Sequence, residues 1–242
     1  MTFEIDKYPL EKLDKVSKIL TSVGFLREIN AETENKEKTF VLSPSTYVPG
    51  NIEFSMVYAN GFQKGYAVFP KEYVNIVYLT SVLNTAVSWA WITNGNLNQK
   101  TKITKKNLSQ VAIRILPAKI QKAISYLYYL QRCVEGQKLD ENSQYKKFWM
   151  SLYDEILNSI SLELMVPEIF KEYQIEVLSA WLSLIGKCSA ENRSVELSDF
   201  QNFINKELIV PQNIIMGNLS KLRVVMQNIV EKLSEKNELE NK

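Results

Sequence analysis

Between Tyr73 and Ile120 the chain carries Lys100, Lys102, Lys105, Lys106, Arg114 and Lys119 and no Asp or Glu. The centre of this stretch, Asn96 to Asn107, interleaves four of those lysines with Asn96, Asn98, Gln99, Thr101 and Thr104. Lysines attract a phosphate backbone whatever its sequence. Amide and hydroxyl side chains position phosphates or read base edges, and Asn and Gln pair bidentately with adenine. The mixture predicts a nucleic-acid contact. Lys100, Lys102, Lys105 and Lys106 are expected on phosphates. Asn96, Asn98, Gln99 and Thr101 are expected at base edges, and Thr104 belongs to the same contact surface. A solvated polar loop would share this composition.

The rest of the chain offers little catalytic chemistry. Histidine is absent, which removes the commonest general base and metal ligand and the Ser-His-Asp and Cys-His schemes. There is no Gly-x-Gly-x-x-Gly, no Walker lysine, no Gly-x-Ser-x-Gly and no His-Glu-x-x-His. Glu53, Glu72 and Lys64 supply the residue types of a metal-dependent nuclease without its spacing. The expectation is a protein that is not an enzyme, with no catalytic residues, cofactor or metal of its own.

Whole-chain charge is +2 over 242 residues, but its distribution is uneven. Residues 1–120 hold 15 Lys/Arg against 10 Asp/Glu, and residues 121–242 hold 14 against 17. Cys133 and Cys188 lie far apart and imply no disulfide framework. The start, Met-Thr-Phe-Glu-Ile-Asp, lacks the basic-then-apolar pattern of a signal peptide. No apolar run approaches the ~18 residues of a membrane span. These features predict a cytoplasmic protein with no membrane partner.

The elements that must position the lysines read as follows. Leu10 to Val23 has helical spacing through Leu13, Val16, Ile19 and Leu20. Thr39–Leu42 and Ile52–Tyr58 read as strands, and Asn60-Gly61 predicts a hairpin into Tyr66–Phe69. Asn75 to Trp91 is strongly apolar and predicts one helix, with Val77, Leu79, Val82, Leu83, Val87 and Trp91 as its apolar members. Thr104 is a candidate N-cap. Gln110–Leu116 reads as a strand stopped by Pro117. After it the chain reads as helices: Lys119–Val134, Ser143 to about Leu164, Pro167 through Leu184, a short one near Phe200, and a last one. The last places Ile215, Leu219, Leu222, Met226, Ile229 and Leu233 at heptad steps. That seam suits either one helix of an internal bundle or a dimerising coiled coil.

Read together, the order of elements resembles a known family. Tyr8-Pro9-Leu10 with Leu13, Val16, Ile19 and Gly24 resembles the opening of a target-recognition domain. Val48-Pro49-Gly50-Asn51-Ile52 is similar to its turn into the central strands, and Tyr78–Asn84 to its helix. Gly95, Ile103, Leu108, Val111, Ile113 and Pro117-x-x-x-Gln121-x-x-Ile124 resemble its closing signature. The family is the DNA specificity subunit of type I restriction–modification systems, and the resemblance covers roughly residues 8–130. Where the family commonly has Pro-Pro-x-Glu-Gln, this chain has Ala118 and Ile120.

The resemblance implies an α+β chain: a mixed α/β target-recognition-like domain over 1–118, then an all-α spacer or bundle region over 119–242. It implies a non-catalytic, sequence-specific DNA-recognition protein. Its loop after Gly95 would meet duplex DNA and its helices would dock a methyltransferase or restriction subunit. One recognition domain reads one half-site, so a homodimer could supply the second. The alternative is a protein-interaction module with a recognition-like fold that no longer binds DNA.

Overall fold

A computed structural model of the protein describes residues 3–23, 39–42, 54–56, 64–92, 104–137, 143–191 and 197–226. These fall into two compact units: a mixed unit, Lys7–Tyr129, and a helical unit, Met1–Asp6 with Leu130–Lys242. The described residues are mostly helical, with a small antiparallel strand component in two sheets.

The mixed unit opens with β1 (Leu10–Lys12), one helical turn, α1 (Leu13–Val16), and β2 (Ser17–Val23). The single helix expected over Leu10–Val23 is corrected by this. Leu13 and Val16 do use helical spacing, and both are fully buried. Ile19 is buried from a strand instead, opposite Val68 of β5 (Lys64–Pro70). Periodicity over a short apolar run cannot separate helix from strand. Pairing decides it here: β2 lies antiparallel to β5 from Ser17↔Pro70 to Val23↔Lys64.

β3 (Thr39–Leu42) and β4 (Phe54–Met56) complete a sheet of order β2-β5-β3-β4. The strands sit where the sequence places them, but the expected hairpin does not form between them. β5 pairs with β2 and β3, and β4 pairs with β3. Asn60-Gly61 lies outside the described residues.

Two apolar helices follow, α2 (Ile76–Leu83) and α3 (Ala86–Ile92). The continuous helix expected from Asn75 to Trp91 is broken at Asn84-Thr85 without any Gly or Pro. Hydroxyls replace the missing helical bonds. The Thr85 hydroxyl donates to the Val82 carbonyl at 2.7 Å and accepts from the Ser88 N–H at 3.3 Å. Ser88 Oγ donates to that same carbonyl at 2.7 Å. A threonine at the head of a helix supplies this cap.

The mixed unit continues with a five-residue helix, α4 (Lys105–Ser109), β6 (Ala112–Arg114) and the start of α5 (Ala118–Gly136). β6 pairs antiparallel with β1, Leu10 opposite Arg114. A polar joint holds α2, β6 and α5 together. Gln121 Oε1 accepts from the Asn75 N–H at 2.6 Å. Its Nε2 donates to the carbonyls of Leu116 at 2.7 Å and Tyr73 at 2.9 Å. Asn75 in turn caps α2, accepting from the Val77 and Tyr78 N–H groups at 2.9 and 3.0 Å.

The helical unit contains the end of α5, then α6 (Gln144–Met165), α7 (Pro167–Glu172), α8 (Val177–Glu191), α9 (Leu197–Leu208) and α10 (residues 214–226). The helix expected from Pro167 through Leu184 is corrected to two. The chain turns at Gln174, whose φ is 52°, and the Ile175 N–H closes back on the Phe170 carbonyl at 2.9 Å. Trp181, Tyr153, Phe170, Ile156, Ile160 and Ile204 fill its core. Ile215, Leu219 and Leu222 of the heptad seam are buried in this unit, and Met226 is exposed. Ile229 and Leu233 lie outside the described residues.

Candidate nucleic-acid interface

Of the residues selected by charge and chemistry, Thr104, Lys105 and Lys106 are described. Asn96, Asn98, Gln99, Lys100, Thr101 and Lys102 lie outside the described residues. Thr104 is an N-cap, as its sequence context predicts: its hydroxyl oxygen accepts from the Asn107 N–H at 3.1 Å. Lys105 and Lys106 follow on the first turn of α4 and are exposed. Leu108, fully buried, pins the underside of this short helix.

α4 packs against α1 and β2, and the packing brings a third cation into the group. Lys18 of β2 lines one concavity with Lys105, Lys106, Ser17, Ser109, Asp14 and Ile19. Three lysines face one carboxylate there, so the concavity is net cationic. Its hydroxyls are held in place locally: Ser109 Oγ donates to the Lys106 carbonyl at 2.8 Å and Ser17 Oγ to the Leu13 carbonyl at 2.6 Å. The sequence does not point to Lys18, which sits 87 positions before Lys105 on a segment with helical spacing. No local signal marks it, because the pairing of β2 with β5 that places it acts at long range.

Arg114 belongs to the acid-free stretch but points inward. Nη1 donates to the Tyr8 carbonyl at 2.7 Å, and the Arg114 carbonyl accepts from the Tyr78 hydroxyl at 2.7 Å. Burial pushes that Tyr78 hydroxyl well above the usual tyrosine range, with Arg114 opposing the shift. This arginine is a strut of the β1–β6 sheet rather than a phosphate contact.

Trp91, one of the apolar members of the long helix expected over Asn75–Trp91, faces outward. It is exposed on α3, while Ser88, Trp89 and Ile92 of the same helix are buried. Two residues apart on a helix are about 200° apart around the axis, so Trp89 and Trp91 cannot share one buried face. Asn107 ties this helix to the lysine-bearing α4, donating from Nδ2 to the Ile92 carbonyl at 3.1 Å.

The helical unit carries an apolar trench lined by Phe148, Leu152, Leu208, Ile209, Val210 and Ile214 among others. Phe148, Ile209, Val210 and Ile214 are exposed along it, and Lys221 is the one charged residue among the described residues that line it. Elsewhere in this unit Glu163 is buried, and its carboxyl oxygen Oε2 accepts from the Leu178 N–H at 2.8 Å at the head of α8. Burial pushes this carboxyl up to about 8, against the backbone N–H groups of Leu178 and Val177. Its position is that of a helix cap delivered from a neighbouring helix. Among the described residues no group of three or more Cys, Asp or Glu is placed to hold a metal ion. Nor is any described helix long and apolar enough to cross a membrane.

Comparison with protein families, with characterised proteins and with solved structures gives no match for this chain.

Proposed function

We propose that the protein is a non-catalytic DNA-recognition protein of the restriction–modification type, docking duplex DNA on its mixed unit. The observation that supports this most is the concavity where Lys18 joins Lys105 and Lys106 beside the hydroxyls of Ser17 and Ser109. Lysines from separate elements converging on one concavity match the chemistry of a phosphate backbone. On sequence grounds Lys100 and Lys102 extend the phosphate contact, and Asn96, Asn98, Gln99 and Thr101 read base edges. The resemblance to type I specificity subunits carries the finer part of the reading: a target-recognition-like mixed domain, a helical spacer and a methyltransferase or restriction partner.

The test is fluorescence anisotropy of a labelled random duplex against a salt series. Wild-type protein should bind with log affinity falling linearly against log salt. Changing Lys18, Lys105 and Lys106 together to Ala should flatten that slope by about 2–3 units, roughly 0.9 for each phosphate that is no longer neutralised. An unchanged slope removes the concavity from the interface, and no binding at low salt removes DNA altogether.

A second reading rests on the trench of the helical unit. Four exposed apolar side chains beside a lysine suit an amphipathic partner helix with an acidic flank. Under that reading the protein is an interaction module, and the substitutions Phe148→Glu and Ile214→Glu would abolish its activity while the lysine variants would not.

A further inference from the structure

We infer that Trp91 is a stacking contact for an unpaired nucleobase, which makes the protein prefer DNA that is locally unpaired; this rests on the DNA-docking reading above. The chain has four tryptophans, and three of them are interior: Trp89 is 4% exposed, Trp149 5% and Trp181 0%. Trp91 is 45% exposed. Its helix is firmly seated, through buried Trp89 and Ile92 and through the Thr85 and Ser88 hydroxyl bonds at its head. An indole held out by a rigid support loses little freedom on stacking.

Its surroundings select the ligand. Trp91 adjoins Ile92, whose carbonyl accepts from Asn107, and Asn107 follows directly on Lys105 and Lys106. The ring and the phosphate-binding cations thus sit on two helices joined by a hydrogen bond. No Asp or Glu occurs in either helix or anywhere from Tyr73 to Ile120. Lysines for the backbone and an aromatic face for the base, carried on two linked helices, are the pairing that single-stranded nucleic acid engages. In an intact duplex the base faces are covered by their neighbours, so the indole gains its contact only where a base is unpaired.

The experiment uses two labelled duplexes of the same sequence, one fully matched and one with a single bulged thymine. Anisotropy should show the bulged duplex binding about tenfold tighter, one base stacked being worth about 1–3 kcal/mol. Trp91→Ala should bring the two affinities together, and Trp91→Phe should retain part of the preference. Because the other tryptophans are buried, the bulged duplex should quench intrinsic fluorescence in the wild type and not in Trp91→Phe. Equal affinities, or binding with no Trp91-dependent quench, would overturn the stacking assignment while leaving the docking reading intact. Binding of neither duplex would overturn both.

Discussion

Asn107 donates from Nδ2 to the main-chain oxygen of Ile92 at 3.1 Å, joining helices separated in sequence by residues 93–104. The bond falls on the last described carbonyl of α3, at the end of a helix where side-chain donors serve main-chain oxygens. The backbone N–H of Asn107 is itself engaged by the Thr104 cap. One residue therefore fixes both the start of α4 and its distance from α3. Changing Asn107 to Ala should cost about 1 kcal/mol of stability, the net worth of an ordinary hydrogen bond. It should also weaken DNA binding without changing the salt slope, because every cation is retained. A slope that falls with Asn107→Ala would mean that the lysines themselves have been displaced.

Gln121 makes the stronger prediction. It is buried and serves the Asn75 N–H and the carbonyls of Tyr73 and Leu116 with one side chain. Removing it leaves the buried Leu116 carbonyl and the part-buried Tyr73 carbonyl and Asn75 N–H without this partner, and a buried group left unsatisfied costs about 1–3 kcal/mol. Gln121→Ala should therefore destabilise by roughly 2–5 kcal/mol. Gln121→Glu keeps the acceptor and loses the donors, so it should be harmful too. Urea denaturation followed by circular dichroism measures both. A loss under about 0.5 kcal/mol for the alanine variant would show that water replaces the amide at no cost.

The features legible in the sequence are those whose signals are local. Thr104 announces α4 because a cap acts on N–H groups two or three positions away. Pro117 announces the start of α5 for a similar reason. Leu10–Val23 reads as helix because the deciding partner, β5, lies some 50 residues on, and pairing at that range leaves no local mark. Asn84-Thr85 breaks a helix that apolar periodicity runs together, since both halves are equally apolar and only hydroxyl geometry separates them. The candidate site divides the same way. Lys105 and Lys106 stand out as a charge cluster, whereas Lys18 and the outward turn of Trp91 depend on the packing of α4 and α3.

Glu163 predicts a pH dependence of stability. Its carboxyl is pushed up to about 8 by burial, with Glu176 adding to the shift and the Val177 and Leu178 N–H groups opposing it. In the unfolded chain a glutamate titrates near 4.3. Between those values the folded state holds a proton that the unfolded state has lost. The unfolded state thus binds fewer protons, and stability falls as pH rises from about 5 to about 8, by roughly 1.4 kcal/mol per unit at the steepest. The side-chain amide introduced by Glu163→Gln still offers an oxygen to the head of α8 and does not titrate. The difference in unfolding free energy between variant and wild type should widen in favour of the variant across this window. A constant difference would mean that the carboxylate is as well accommodated as the acid.

The last helix separates a seam that folds the unit from a surface that could meet another chain. Ile215, Leu219 and Leu222 are buried, whereas Val224 and Met226 are exposed on the same helix. Leu222→Asp places a charge among apolar neighbours, a change expected to cost about 3 kcal/mol or more. For a chain of this size that lowers the Tm by roughly 6–12 °C. Val224→Asp and Met226→Asp should leave the Tm within about 2 °C, as surface substitutions do. A homodimer formed through this helix must therefore use its exposed side. In light scattering Val224→Asp and Met226→Asp should then convert it to monomer with helix content unchanged. If instead Leu222→Asp dissociates a dimer while the Tm and the far-ultraviolet circular dichroism stay as in the wild type, the buried seam is intermolecular and its assignment to the core of the helical unit fails.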